Sequence, residues 1–238
     1  MSGSVATIPL LNLAIAFIPV VVVIVIIARW QLGFKSSAYA VCRMLIQLLL
    51  IGYFLTYIFK SESGLVVVVV LAIMLFSASW IALRTISVPR KTLYMTSLIS
   101  IVLGGGTILI LMSQAVLNLT PWYLPSYLIP LGGMIFANSM NSISLAGERL
   151  ETEIKRNVPY NKARSIALQA SLIPITNSLF AVGLVSLPGM MTGQILSGIS
   201  PLIAARYQIM VMCMIFSSAG LSAALFLTLI KKDLTSLS

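Results

Sequence analysis

The chain alternates long apolar runs with short polar connections, and the lengths of the runs say what they are. A helix that crosses a bilayer needs about 20 consecutive, mostly apolar residues. The runs Ile8–Ala28, Ala38–Phe59, Leu65–Leu83, Leu93–Leu117, Trp122–Ala146, Ser165–Leu187 and Tyr207–Ile230 meet that length. A membrane β-barrel would show segments of about ten residues alternating between apolar and polar. The stretch VVVVVLAIMLF beginning at Val66 has no such alternation. The pattern therefore predicts an all-α, polytopic membrane protein with about seven transmembrane helices. Between the last two runs lies PGMMTGQILSGISPLIAAR (188–206), rich in Gly and Pro yet apolar. It reads either as a re-entrant segment, tolerated at membrane depth only inside protein or beside a cavity, or as a loop on the surface.

Composition agrees. The 238 residues are 59% hydrophobic and 8% charged, with a mean hydropathy of +1.07, whereas soluble domains carry roughly 25% charged residues. The runs consume almost the whole chain, so residues 1–238 read as a single domain. The net charge of +10 has a simpler cause than nucleic-acid binding, which we exclude. With the N-terminus outside, the inner connections carry Arg29, Lys35, Arg84, Arg90, Lys91, Arg149, Lys155, Arg156, Lys162, Arg164, Lys231 and Lys232, against Lys60 and Arg206 outside. This is the positive-inside bias, and it puts the C-terminus in the cytoplasm. Residues 1–7 lack the basic start of a cleaved signal peptide, so the first run is expected to be retained as a helix. A bacterial cytoplasmic (inner) membrane is the default location.

The chemistry available is sparse. The chain has no histidine, which removes the commonest general base and metal ligand. Cys42 and Cys213 both fall in apolar runs and read as small core residues rather than a disulfide. No catalytic residue, resident metal or cofactor is expected. GxxxxGK is absent, and Gly104-Gly105-Gly106 lies within a run, where glycines permit close helix packing or a kink. Met210, Met212 and Met214 alternate and so read as packing.

Polar groups inside the runs are the candidate functional residues. Arg43 and Gln47 lie one turn apart in the second run, as a snorkelling Arg or as part of a substrate path. In Asn138-Ser139-Met140-Asn141-Ser142, Asn138 and Asn141 share a helical face that Ser142 extends. Lipid offers carboxamides no partner, so this face should point into the bundle, for helix-to-helix bonding or to line a path. Asn177, just after Pro174, is a weaker candidate of the same kind. Following the fifth run, GERLETEIKRNVPYNKAR places Leu150, Ile154 and Val158 on a narrow apolar stripe beside Glu148 and Glu151. This predicts an amphipathic cytoplasmic helix, ended near Pro159, whose mixed charge favours docking to a soluble partner over lying on lipid.

The stretches GGMIFANSMNSISLAGERLE (Gly132–Glu151), LVSLPGMMTGQILSG (Leu184–Gly198) and CRMLIQLLLIGYFL (Cys42–Leu55) carry a resemblance over essentially the whole chain. It resembles the bacterial Fet-type permeases of iron-exporting ABC transporters, a family that includes the plant aluminium-sensitivity permeases. The resemblance implies a permease domain, not an enzyme, whose two copies pair with two separate nucleotide-binding ATPase subunits that bind ATP and Mg. It implies that 147–164 couples to the ATPase through Glu148, Leu150, Glu151, Ile154 and Val158. The segment PYNKARSIALQASLIP would then be the coupling segment, although Lys155-Arg156-Asn157-Val158 replaces the family's usual Leu-Gly-Ala type run. Pro188, Gly189, Met190, Met191, Gly193 and Gln194 are expected to shape an outer gate. Iron or another metal ion is the expected substrate. The alternative is a stand-alone channel or secondary carrier; the sequence shows neither the internal repeat nor the even division that would favour it.

Overall fold

The computed structural model describes residues 8–60 and 63–235; residues 1–7, from which the absence of a leader was read, lie outside it. Among the described residues there are helices and no strand, only an isolated bridge between Val182 and Ser186. The helices are α1 (Leu10–Ile15), α2 (Phe17–Arg29), α3 (Phe34–Ile58), α4 (Gly64–Ala82), α5 (Arg90–Ile101), α6 (Thr107–Ile110), α7 (Pro125–Lys155), α8 (Tyr160–Ala181), α9 (Gly189–Leu196) and α10 (Pro201–Thr235). The chain is an all-α polytopic membrane protein. Five stretches are long and apolar enough to cross a membrane: Leu11–Arg29, Phe34–Ile58, Gly64–Thr85, Arg90–Val116 and Pro201–Lys231. The expected fifth and sixth runs form α7 and α8, but these helices lack the hydropathy of the others, being interrupted by Asn, Ser, Gly and Pro.

The chain divides into two compact units, Met1–Ser61 and Glu62–Ser238. In the first, α2 and α3 pack on each other and bury no residue fully. The α1–α2 break at Ala16 has a local cause: Pro19 has no N–H to offer the Ile15 carbonyl. Cys42 of this unit and Cys213 of the other are both exposed rather than core residues. In lipid a small apolar thiol gains nothing from burial, so the expectation drawn from water-soluble cores does not carry over.

The second unit is built around α7, which packs against α4, α8 and α10 and buries Leu131, Ile135, Ile143 and Leu150. Small hydroxyls seal the contacts. Ser139 donates to the Ser218 carbonyl (3.3 Å) and accepts from the Ser222 hydroxyl (3.0 Å), tying α7 to α10. Ser142 donates to the Ser171 carbonyl of α8 (3.2 Å), and Ser97 of α5 to the Ser79 carbonyl of α4 (3.1 Å). Such residues let backbones approach closely, the usual basis of helix association in membranes.

The Arg90–Val116 stretch is not a plain α-helix. Val102–Gly106 and Leu111–Val116 are π-helical turns on either side of α6. The glycine triplet lies in the first turn and serves close packing as expected: a Cβ on Gly104 would sit 2.6 Å from the Ser222 nitrogen and 2.8 Å from its Cα, while Gly106 has nothing within 4 Å. Gly104→Ala is therefore expected to destabilise the protein by about 1–3 kcal/mol, and Gly106→Ala to leave it unchanged or stabilise it by up to about 1 kcal/mol. Thermal unfolding of both variants in detergent checks the contrast.

Candidate functional site

Four elements of the second unit converge on a cavity of ≈ 340 Å³. α7 supplies Met134 and Asn138, α8 supplies Ile175 and Ser178, the connection and start of α9 supply Ser186, Pro188, Gly189 and Met190, and α10 supplies Gln208, Val211, Met212 and Ile215. Local sequence places these groups. Asn138 donates Nδ2–H to the Met134 carbonyl (2.8 Å). Ser178 donates to the carbonyl of Pro174 (3.0 Å). α8 stops at Ala181, whose carbonyl accepts from Val185 (2.8 Å) and Ser186 (3.1 Å) around Gly183, held at φ 83°. Pro188 then opens α9.

Gln208 is the group that sequence reasoning missed. It is only 5% exposed, and its Oε1 is buried without a hydrogen-bond partner. The last apolar run, read from hydropathy, starts at Tyr207 and leaves Gln208 at a boundary. α10 begins instead at Pro201, which places Gln208 about two turns inside the helix. The connection 188–206 is thus mostly helix: α9 and the first turns of α10. Gln208 and Met212 also line a second, more apolar cavity of ≈ 360 Å³ with Met191 and Cys213.

The other expected path residues separate. Ser142 is buried in the α7–α8 bond described above, while Asn141 and Asn177 are exposed on α7 and α8. Arg43 and Gln47 share a face of α3 in the first unit. α3 starts at Phe34 rather than Ala38, so Arg43 lies about two and a half turns into the helix. Of the expected gate residues, Pro188, Gly189 and Met190 reach the first cavity and Met191 the second. Gln194 carries a buried, unpartnered Oε1, and Gly193 faces open space.

The 147–164 segment begins as the last turns of α7, which continues without a break from the fifth run as expected, and the helix ends at Lys155, a little before Pro159. Asn157, at φ 59°, caps it: Asn157 N–H donates to the Ile154 carbonyl (2.8 Å) and Val158 N–H to that of Glu153 (3.1 Å), a Schellman arrangement. The stripe expected to face a partner turns inward at Leu150, which is 1% exposed, because α7 lies along the end of α10. Ile154 remains exposed, Val158 half-buried and Glu148 exposed. Glu153, 4% exposed, pairs with Arg149 at 2.7 Å. Burial works to raise the Glu151 carboxyl, but Lys155 Nζ at 2.7 Å and the Ser87 N–H at 2.9 Å outweigh it and hold it below the usual carboxylate range.

Two predictions follow from this geometry. A buried, unpaired amide costs about 1–3 kcal/mol, so Gln208→Leu is expected to raise the unfolding temperature in detergent; a fall would mean the amide is satisfied. A depressed folded-state pKa contributes stability above the unfolded value, lost as pH falls through the folded one. The Ser87–Glu151 contact is therefore expected to hold at neutral pH and open below the carboxylate range, read as a loss of Ser87 amide protection, relative to its intrinsic exchange rate at each pH, in wild type but not in Glu151→Gln.

Comparison with known proteins fits this arrangement. The family described as uncharacterised protein family UPF0014 matches residues 10–164 and 158–235. UPF0014 membrane protein slr1647 of Synechocystis is 42% identical over 81% of this chain and 86% of its own length. A protein of Escherichia coli named probable iron export permease protein FetB is 34% identical over 89% of this chain and 86% of its own. The Arabidopsis thaliana protein ALUMINUM SENSITIVE 3 is 32% identical over 88% and 81%. No solved structure matches significantly. The chain belongs to the UPF0014 family of membrane proteins, the Fet-type permease family that its Asn-Ser-rich and Pro-Gly-Met-Met stretches resemble.

Proposed function

We propose that the chain is the permease subunit of an ATP-driven ABC exporter of a metal ion, working as a homodimer with two separate ATPase subunits in a bacterial inner membrane. The carrying observation is the cavity that gathers Asn138, Ser178 and Gln208 inside a bundle otherwise suited to lipid. Polar groups within a membrane bundle mark a path or a ligand site, and iron is the cargo named for the Escherichia coli relative. The exposed polar stripe Ser165, Gln169 and Asn177 on α8 supports a second copy, since carboxamides facing lipid need a partner. Seven crossings, with the N-terminus outside, put the cavity toward the outer side and the end of α7 in the cytoplasm. Asn138 and Ile154 then sit about 24 Å apart on one continuous helix, a rigid link between the ATPase and the cavity.

The test is co-expression with a candidate ATPase, purification, and ATP hydrolysis in lipid with and without ferrous iron. A stable complex whose hydrolysis responds to the metal is expected. No complex would favour a stand-alone channel or carrier. Because Leu150 is internal, docking is probed at exposed residues: Glu148→Lys with Ile154→Asp is expected to lose the complex while the chain keeps its unfolding temperature.

A further inference from the structure

We propose that the cavity between α7, α8, α9 and α10 binds a soft, monovalent metal cation through the thioethers of Met134, Met190 and Met212 and the amide oxygen of Gln208. Such an ion is a bound ligand of the chain, separate from the iron cargo of the permease reading, and does not rest on that reading.

Methionine in a helix bundle ordinarily fills irregular gaps, as Met112 and Met214 do in the buried core. Here three methionines from three different helices line a gap and leave it open, although Met212 also packs in the core against Ile175 and Ala219. Their unbranched side chains can swing to converge on an ion. Beside them Gln208 presents a carbonyl oxygen that is buried and has no partner, an acceptor waiting for a donor or a cation.

The lining also sets the class of ion. No Asp, Glu, Lys or Arg borders the cavity, and among the described residues no cluster of His, Cys, Asp or Glu could hold a metal. The cost of bringing an ion into a low-dielectric site grows with the square of its charge, about fourfold from one to two. A neutral lining therefore disfavours a bare divalent ion. Hard ions prefer carboxylate and carbonyl oxygen, whereas thioether sulfur selects soft ions such as Cu(I). A neutral set of three sulfurs and one oxygen suits a soft ion with a single charge. Met134 and Asn138, like Gln208 and Met212, are one turn apart on their helices, so each helix presents a sulfur next to an amide.

Silver(I) serves as a redox-stable probe. Cys42 and Cys213 would compete for it, so the experiment uses the full chain carrying Cys42→Ala and Cys213→Ala, in lipid nanodiscs and chloride-free buffer. Calorimetry with metal analysis is expected to give one saturable silver ion per chain. Met134→Leu, Met190→Leu and Met212→Leu together are expected to abolish that binding, and Gln208→Leu to weaken it by roughly 10–100-fold. Leucine keeps the apolar volume, and unfolding temperatures no lower than the parent's, with unchanged elution volumes, identify folded variants. Met44→Leu with Met95→Leu, exposed methionines elsewhere, is expected to keep wild-type affinity. Equal binding in the triple variant, no saturable binding by the folded chain, or tighter binding of ferrous iron than of silver would each overturn the proposal. None of these outcomes would touch the permease reading, which the ATPase complex tests separately.

Discussion

The second unit depends on the approach of α10 to α7 at Ser139, Ser218 and Ser222. At this crossing hydroxyls bond across helices to a carbonyl and to each other, and Gly104 of the first π-helical turn lies against the Ser222 backbone. In hydrocarbon no solvent competes for those groups, and no gain in apolar burial draws helices together. Close backbone contact then does the work that large side chains do in a soluble core. The glycines, the serines and the position of the cavity follow from it. The cavity opens along the same helices, at Asn138, next in the chain to Ser139, and at Gln208, about three turns before Ser218.

Hydropathy sorts the helices by task. The stretches that meet the requirements for a crossing in full include α2, α3 and α4, which contribute nothing to the cavity lining. The cavity belongs largely to α7, α8 and the short α9, with only α10 drawn from the apolar class. Polar residues lower the apolar score of a helix, and they are also the residues able to bind or guide a polar cargo. Pro130 in α7 and Pro174 in α8 deepen the same contrast, since each frees a carbonyl that another group must satisfy.

Much of this was legible in the sequence. The long apolar runs and the polarity of Asn138 in the middle of one of them gave the helices and one wall of the cavity. The Pro-Gly-Met-Met stretch pointed to another wall. Gln208 was hidden because a helix start inferred from hydropathy begins where residues turn apolar, whereas α10 begins at Pro201, which pre-sets the first turn. Leu150 was misjudged because an apolar stripe on a charged segment looks the same whether it faces a partner or the end of the chain's own last helix. Asn157 could have been recognised as the stop for α7, since Asn tolerates the left-handed conformation that closes a helix.

The π-helical turns flanking α6 have a consequence for how this stretch lies in the bundle. After Leu93, its buried positions run Thr96 and Ser97, Ser100 and Ile101, Gly104 and Gly105, Ile108 and Leu109, Met112 and Ser113, pairs recurring every fourth residue. An α-helix turns in 3.6 residues, so a four-residue repeat would drift steadily around it. A π turn takes about one residue more, and alternating the two brings the average close to four. The pairs therefore form a seam parallel to the helix axis. A uniform α-helix would have to coil around its neighbour to keep such a seam in register; here the wider turns supply that adjustment within the helix itself.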